Sequence, residues 1–240
     1  MGPYMQYEEP RLASPARLLP DWASATCPWA ISSRYANMLF KDHAFIRMAY
    51  RNMHRLDDQM WRAAQPTPGQ VEDMASAGIR TIINLRGRRE SCGSYFFEVR
   101  NCSRFGIDLI DFPVRSRDAP RKDDIFAAVE MWRRIRYPAV MHCKAGADRV
   151  GLMSALYVLL VNRQPLEKAQ QQLSWRYGHL RQAKTGILDY FLETFAASGG
   201  RTAEDFLQWV ETDYNPVRFK ATFRSKRWAN LMMDQVLARE

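Results

Sequence analysis

The chain has 240 residues, is 47% hydrophobic and carries a formal net charge of +9 at pH 7. This composition predicts a globular protein with one domain and extensions, and it excludes a membrane-spanning helix because the longest apolar run, residues 152–161, is far shorter than the roughly 20 residues required. The positive charge does not by itself indicate nucleic-acid binding, since the basic residues belong to no recognisable recognition module.

Residues 31–55, the first patterned segment, interleave basic and apolar side chains in the manner of an amphipathic basic helix. The cations are Arg34, Lys41, Arg47, Arg51 and Arg55, and the aromatic residues include Tyr35, Phe40, Phe45 and Tyr50. Such a helix would either bind an anionic membrane surface, where each cation contributes about 1 kcal/mol, or pack its apolar stripe onto the rest of the protein.

A strand, a loop and a helix are predicted further along the chain. Tyr137, Val140 and Met141 suit a buried strand, and residues 152–160 have the apolar content of a packed helix. A loop between them would direct backbone N–H groups and the positive helix end into one concave space, which suits a phosphate oxyanion. The expected phosphate-binding residues are Lys144, Ala145, Gly146, Ala147, Asp148 and Arg149.

Cys143 would lie at the floor of this loop. The same N–H donors, together with Arg149, favour a thiolate over a thiol, so we expect Cys143 to be a nucleophile at neutral pH. Arg149 would bind two phosphoryl oxygens through its guanidinium fork. A structural, buried cysteine would also account for Cys143, but it would leave Gly146 and Arg149 unexplained.

The other cysteines and the histidines show no metal-ligand spacing. The cysteines are Cys27, Cys92, Cys102 and Cys143, and the histidines are His43, His54, His142 and His179. No Cys-x-x-Cys pair occurs, and an activated thiolate needs a reducing compartment, so we expect a cytoplasmic protein without a metal or cofactor. We interpret His142 as a residue that orients the loop, and His179 as a core or surface histidine with its hydrogen bonds satisfied.

Residues 217–237 repeat the pattern of the first segment. They combine the cations Arg218, Lys220, Arg224, Lys226 and Arg227 with Phe219, Phe223 and Trp228. The same two interpretations apply, a membrane-surface helix or a packing element.

His142-Cys143-x-x-Gly146-x-x-Arg149 resembles the signature of the cysteine-dependent protein tyrosine and dual-specificity phosphatases, in a bacterial dual-specificity-like form. The resemblance covers roughly residues 56–198. It implies strands at residues 60–66, 81–86 and 108–114 and a helix at residues 124–136. The implied fold is α/β, with a central mixed sheet flanked by helices and with helical extensions at residues 1–55 and 199–240.

The sequence departs from this family at Val150 and in the loop that should supply a general acid. The family usually has Ser or Thr after the arginine, where the hydroxyl helps the thiolate to leave, so Val150 implies slow hydrolysis of the phosphoenzyme. Residues 114–120 carry a serine, Ser116, near one expected acid position and Asp118 two residues later, and Asp118 is the first candidate. Asp148 is the second candidate, because Cys-x4-Asp-Arg also resembles the loop of myotubularin-like and Sac-like phosphatases. Either aspartate would alternatively only pair with an arginine.

These features favour a phosphatase that acts through a phosphocysteine intermediate on phosphotyrosine or dual-specificity protein substrates. A lipid phosphatase is the alternative, since Cys143-Lys144-Ala145-Gly146 also resembles the loop of tensin-homologue and mitochondrial phosphatidylglycerophosphate phosphatases. A phosphate-binding module with low turnover is a third hypothesis, motivated by Val150.

We expect a phosphoprotein or an anionic phospholipid as partner, and a cytoplasmic protein that is either free or peripheral at the inner membrane face. We expect no nucleic-acid partner, and the oligomeric state is left open.

Overall fold

The computed structural model describes residues 19–24 and 27–225 of the chain. These residues form two compact units. The first consists of the described residues up to Val114 together with Met131–Val150, and the second of Arg115–Glu130 together with the described residues from Gly151 onward.

The first unit contains a five-stranded mixed sheet. Its strands are β1 (His54–Arg55), β2 (Met60–Ala64), β3 (Thr81–Asn84), β4 (Asp108–Asp111) and β5 (Ala139–Cys143). They are arranged in the order β1-β2-β5-β3-β4, in which β1 is antiparallel to β2 and the remaining pairs are parallel. The central strand β5 therefore ends in Cys143 between the carboxyl ends of β2 and β3, which is where open α/β sheets place ligands.

Helices precede, separate and follow these strands. They are α1 (Pro28–Ala36), α2 (Ala44–Ala49), α3 (Pro68–Ser76), α4 (Gly93–Phe105), α5 (Lys122–Arg134) and α6 (Asp148–Leu160). A π-helical stretch, Asn37–Lys41, separates α1 from α2. The segment predicted as one basic helix is thus interrupted, and His43 takes a φ of 56° where the chain turns into α2.

A hydrophobic core joins one face of the sheet to α3 and α4. It contains Ala63, Val71, Met74, Ile79, Ile82, Cys102, Ile107 and Val140, all buried. The N-terminal helices pack on α4 as well, since the Arg34 guanidinium lies 5.3 Å from the centre of the Phe96 ring and Tyr35 meets Phe97 edge to face. This packing joins the N-terminal segment to the sheet-bearing unit.

The second unit is held together by aromatic side chains. After α6 it contains α7 (Leu166–Gln170), α8 (Ile187–Ala197), α9 (Ala203–Thr212) and a helical stretch at residues 216–225. The centres of the Phe195 and Phe206 rings are 5.0 Å apart, and Phe191 meets Tyr214 at 4.9 Å. Phe219 is buried and stacks on Tyr190, so the described part of the C-terminal basic segment packs its aromatic face inward.

The predicted fold class is confirmed: a mixed sheet lies among helices, and helical segments flank it along the chain. The strands expected at residues 60–66, 81–86 and 108–114 and the helix expected at 124–136 correspond to β2, β3, β4 and α5. Residues 226–237 of the predicted C-terminal helix lie outside the described residues, and the domain boundaries at residues 56 and 198 stay a prediction. No helix in the described ranges is long and apolar enough to cross a membrane.

Candidate active site

Cys143 ends the central strand, and the loop that follows it leads directly into α6. All five residues of β5 are buried, and Cys143 itself is 5% exposed. Lys144, Ala145, Gly146 and Ala147 form the loop, and α6 begins at Asp148. The structure thus brings together the predicted nucleophile, the predicted phosphate-binding residues and a helix N-terminus, whose partial positive charge favours an anion.

Gly146 permits the tight path of this loop. Its φ is +75°, a conformation in which a side chain is strained. A Cβ atom at this position would lie 2.8 Å from the backbone nitrogen of Ala64 and 2.8 Å from Nδ2 of Asn52. The loop therefore lies against the end of β2 at a distance that only glycine allows.

The carbonyl oxygens of the loop are held by donors on the β2 side. The backbone N–H of Gln65 donates to the Lys144 oxygen at 3.4 Å, and Nδ2 of Asn52 donates to the Ala145 oxygen at 2.9 Å. Nη2 of the fully buried Arg62 lies 3.0 Å from the Gly146 oxygen and 3.4 Å from the Ala147 oxygen. We call these carbonyl-binding donors of Asn52, Arg62 and Gln65 the loop clamp.

The loop clamp determines where the loop N–H groups point. In a trans peptide unit the C=O and N–H bonds point in opposite directions. Since the carbonyl oxygens of residues 144–147 are turned toward the clamp, the N–H groups of residues 145–148 are turned away from it. Several N–H groups that face one space form an anion-binding site.

Arg149 provides the charged donor at this site. Its Nε is buried and has no hydrogen-bond partner among the described residues. Burial lowers the pKa of the Arg149 guanidinium, and its interaction with Cys143 opposes that change, which places the two side chains within electrostatic reach. A buried donor without a protein acceptor is costly unless a ligand accepts from it, so a bound oxyanion would satisfy Arg149.

His142 has a buried carboxylate partner. Its Nε2 lies 2.6 Å from Oε1 of Glu98 on α4, and both side chains are fully buried. Nε2 of Gln65 donates to the other Glu98 oxygen at 2.8 Å. Because Gln65 also belongs to the loop clamp, this contact links His142 to the loop that it precedes.

Asp42 is the centre of a buried ion-pair cluster beside the loop. Its carboxylate accepts from Nη1 and Nη2 of Arg86 at 3.0 and 2.9 Å, from Nη2 of Arg47 at 3.0 Å and from Oγ of Ser94 at 2.6 Å. Nζ of Lys144 lies 3.5 Å from the same carboxylate. Arg86 also donates to the Gln65 side chain. The loop is therefore held by charge through Asp42, between the π-helical stretch and α2, in addition to the hydrogen bonds of the loop clamp.

The ion pairs of Asp42 change its titration. Burial would raise the pKa of the Asp42 carboxyl, but hydrogen bonds from Arg86 and Ser94 and the charges of Arg86 and Arg47 lower it well below its usual range. The carboxylate is thus ionised over the whole physiological range of pH. The stability that it contributes is present above its unfolded pKa and is lost as the pH falls toward its folded pKa.

The two candidate acids lie in different surroundings. Asp118 belongs to the second unit, where Nζ of Lys220 lies 2.8 Å from Oδ1 and Nη1 of Arg115 lies 3.3 Å from Oδ2. Burial raises the pKa of Asp118, but the larger combined effect of Lys220, the Ala119 N–H and Arg115 lowers it. Asp148 is the first residue of α6 and lies beside Arg149. The pairing of Asp118 with Arg115 was one of the expected alternatives, and the assignment of the acid stays a prediction.

Other predicted residues take structural positions. The Val150 side chain is fully buried in the first turn of α6. Because this side chain is aliphatic, it offers no hydroxyl there. His179, in the second unit, is buried and its Nε2 lies 2.7 Å from Oδ2 of Asp189, which gives this histidine the partner expected of a satisfied residue. In the described ranges, no group of three His, Cys, Asp or Glu side chains is placed to hold a metal ion.

Sequence reasoning did not identify the residues that support the loop. They are Asp42, Asn52, Arg62, Gln65, Arg86 and Glu98. Arg62 had a detectable signal, since it is a charged residue inside an otherwise apolar strand, and buried charges need partners. The others come from segments far from Cys143 in the chain and carry no local motif.

Residues 42–189 match the family described as DSP-PTPase phosphatase fused to NAD+ kinase. No curated protein sequence matches the chain. Among solved structures, P. aeruginosa TpbA is 15% identical with a TM-score of 0.51, covering 61% of this chain and 86% of TpbA. TpbA in complex with pTyr gives 15% identity and a TM-score of 0.47 over 60% of this chain and 90% of that one. PTPMT1 in complex with PI(5)P is 18% identical with a TM-score of 0.43, covering 62% of this chain and 99% of that one. The likeness to TpbA shows a shared fold.

Replacement of Asp42 by Asn tests the ion-pair cluster. We expect Asp42→Asn to lower the free energy of unfolding at pH 7 by about 3 kcal/mol, because it leaves buried arginines without their counter-charge. Below about pH 3.9, the ordinary pKa of an aspartate, the difference between the two proteins should shrink by about 1.4 kcal/mol per pH unit. Urea unfolding at several pH values measures both, and a difference independent of pH would contradict this account.

Proposed function

Because the chain belongs to the phosphatase family described as DSP-PTPase phosphatase fused to NAD+ kinase, we propose that it hydrolyses phosphate monoesters through a covalent phosphocysteine at Cys143. The main support is the loop geometry: the loop clamp binds the carbonyl oxygens after Cys143, so the loop N–H groups face the opposite side, and Arg149 interacts electrostatically with Cys143. This arrangement suits a phosphate dianion held in front of a sulfur nucleophile.

In the first half-reaction, the Cys143 thiolate attacks the phosphorus atom. The S–P bond forms while the bond between phosphorus and the leaving oxygen breaks, and the leaving oxygen takes a proton from a carboxylic acid. The N–H groups of the loop and the Arg149 guanidinium stabilise the charge on the three phosphoryl oxygens. Because these donors are oriented before the substrate binds, they need little reorganisation during the reaction.

In the second half-reaction, water attacks the phosphocysteine. The S–P bond breaks, inorganic phosphate leaves and the thiolate is restored, while the carboxylate that gave its proton takes one from the water. Val150 has no hydroxyl to stabilise the departing thiolate. We therefore expect this half-reaction to limit turnover, and in the extreme case the site would bind phosphate with little hydrolysis.

Phosphotyrosine and other phosphorylated protein side chains are the first candidate substrates, as the dual-specificity and tyrosine phosphatase family implies. The first candidate for the acid is Asp118, in the loop where the family resemblance implies an acid, and the second is Asp148, because Cys-x4-Asp-Arg resembles the loop of myotubularin-like and Sac-like phosphatases. The salt bridges of Asp118 to Lys220 and Arg115 favour its ionised form. Asp148 directly precedes Arg149 in the chain.

An anionic lipid phosphate is the second candidate substrate, and the surface of the N-terminal helices favours it. Phe40 is 73% exposed, and Phe45, Ile46, Met48 and Tyr50 are each more than half exposed. We call these five side chains the apolar row. Exposed apolar side chains accompanied by cations such as Lys41 and Arg51 suit insertion at an anionic headgroup layer. The protein would then work at the inner membrane face.

Substitution of the nucleophile and of the phosphate-binding arginine tests the mechanism. We expect Cys143→Ser and Arg149→Ala each to lower hydrolysis of para-nitrophenyl phosphate by at least about 10³-fold, since one removes the nucleophile and the other a transition-state contact. Cys27→Ser, at an exposed cysteine, is the matched control and should keep wild-type activity. Wild-type rates in the Cys143→Ser protein, or loss of activity with EDTA, would refute the mechanism.

Leaving-group dependence identifies the acid. We expect Asp118→Asn to slow the release of a poor alkyl leaving group by about 10²-fold or more, and to affect a phenolic one much less, because general acid catalysis matters most for the poorer leaving group. Steady-state rates on alkyl and aryl phosphates measure this effect. If Asp118→Asn shows no such difference and Asp148→Asn does, then Asp148 is the acid.

Co-sedimentation with vesicles tests the apolar row. We expect the wild-type protein to bind vesicles that contain phosphatidylserine and to be released as salt rises, because surface charges are screened over about 10 Å at 0.1 M. A variant with Phe40→Ser, Phe45→Ser and Ile46→Ser should lose binding. Trp175→Ser, which removes an exposed aromatic residue of the second unit, should not. Wild-type protein that stays in the supernatant at low salt would reject a membrane role.

A further inference from the structure

A polar cavity lies beside the loop that follows Cys143, in the first unit. Its volume is about 330 Å³, and it is lined by Lys41, Asp42, Arg86, Arg89, Ser91 and Lys144, with neighbouring residues. We call it the basic pocket. Its size is near the lower end of the range for small-ligand sites, which suits a compact group such as a phosphate.

Positive charge dominates the basic pocket. Four of the lining residues named above are cations, and Asp42 is the only carboxylate among them. Asp42 is already bound by Arg86 and Arg47. Lys41 and Arg89 are exposed, and neither has an ion-pair partner in the part of the chain that the structure describes. Cations gathered in a concave site raise the local concentration of anions, so an anionic ligand fits this pocket.

The basic pocket shares one residue with the loop that follows Cys143. Lys144 lines the pocket and directly follows Cys143 in the chain, a step of about 3.8 Å between Cα atoms. Besides burial, which has the largest effect, the charges of Arg86 and Arg89 lower the pKa of Arg149. The pocket cations are therefore close enough to act on the arginine that would bind the scissile phosphate.

We propose that the basic pocket binds a second phosphate group of the substrate. The preferred substrate would then carry two neighbouring phosphates, one hydrolysed at Cys143 and the other held by Lys41, Arg89 and Lys144. This inference rests on the proposed phosphatase function and narrows its substrate class. Guanidinium and ammonium groups bind phosphate through charge-assisted hydrogen bonds, and a second phosphate supplies more acceptors than the single ester group alone.

Such a substrate is either a soluble polyphosphorylated molecule or the headgroup of a lipid. Both present the same chemistry to the pocket. The apolar row lies next to the pocket in sequence, because Phe40 adjoins Lys41. A headgroup held at a membrane surface beside the apolar row would therefore lie near Lys41, the residue of the basic pocket that adjoins this row in the chain.

Hydrolysis of a matched substrate pair tests the inference. The probes are an inositol bisphosphate with phosphates on adjacent carbons and the two inositol monophosphates that lack one of them, and the measured quantity is the ratio of their kcat/KM values by phosphate release. We expect the wild-type protein to prefer the bisphosphate by about tenfold or more, because charge-assisted contacts to the second phosphate stabilise its complex. A variant with Lys41→Ala and Arg89→Ala should bring the ratio close to one.

Arg88→Ala is the matched control for that variant. Arg88 is exposed, belongs to the same loop as Arg89 and pairs with Glu90. The control should keep the wild-type preference for the bisphosphate. If Arg88→Ala lowers the ratio as much as the double variant does, the effect is one of general charge and the inference fails.

A second arm of the experiment distinguishes a soluble substrate from a lipid headgroup. It presents the same pair of phosphates on phosphoinositides in vesicles, whereas the first arm uses the inositol phosphates in solution. A preference in solution that vesicles do not increase supports a soluble substrate, and a preference that is larger on vesicles, or found only there, supports a lipid headgroup. No preference in either arm overturns the inference, as does a preference confined to doubly phosphorylated peptides. If the wild-type protein hydrolyses para-nitrophenyl phosphate without any preference, only this inference fails. If it hydrolyses no phosphate ester, the proposed function itself fails.

Discussion

The direction of the peptide units after Cys143 depends on the hydrogen-bond donors of the loop clamp. Asn52, Arg62 and Gln65 bind the carbonyl oxygens of residues 144–147, and the N–H groups must then face the other way. Without these donors, the carbonyl oxygens of the loop would lose the hydrogen bonds that hold them away from the site, where they would repel a phosphate. Gly146 makes the arrangement possible, because any side chain there would collide with β2.

The same donors belong to a larger set of buried polar side chains. Gln65 connects the loop to Glu98 and His142 on one side and to Arg86 on the other, and Arg86 leads to Asp42. A buried polar group without its partner is costly. Each member therefore restrains the next, and the position of the loop depends on α4 and on the residues that follow the π-helical stretch, β2 and β3.

The residues of the loop itself could be predicted from the sequence, but the residues that hold the loop in place could not. Cys143, Gly146 and Arg149 lie within a short stretch whose spacing has a chemical meaning by itself, and the apolar strand and helix around them are readable from composition. Asn52 and Asp42 have no such local signal, since their roles depend on partners that only the folded chain brings near. The C-terminal basic segment shows the same limit, because the burial of Phe219 follows from its neighbours in the second unit and not from its own pattern.

The loop clamp also has a consequence for how the site forms during folding. Asn52 is separated from Ala145 by 93 residues, and Arg62 from Gly146 by 84. Contacts between such distant parts of a chain require the closure of long loops before they contribute any stabilisation, which makes them slow to form. The catalytic loop can adopt its working shape only after the segments on both sides of that span have come together. Chains that have already gained most of their helices would therefore still lack this conformation of the loop.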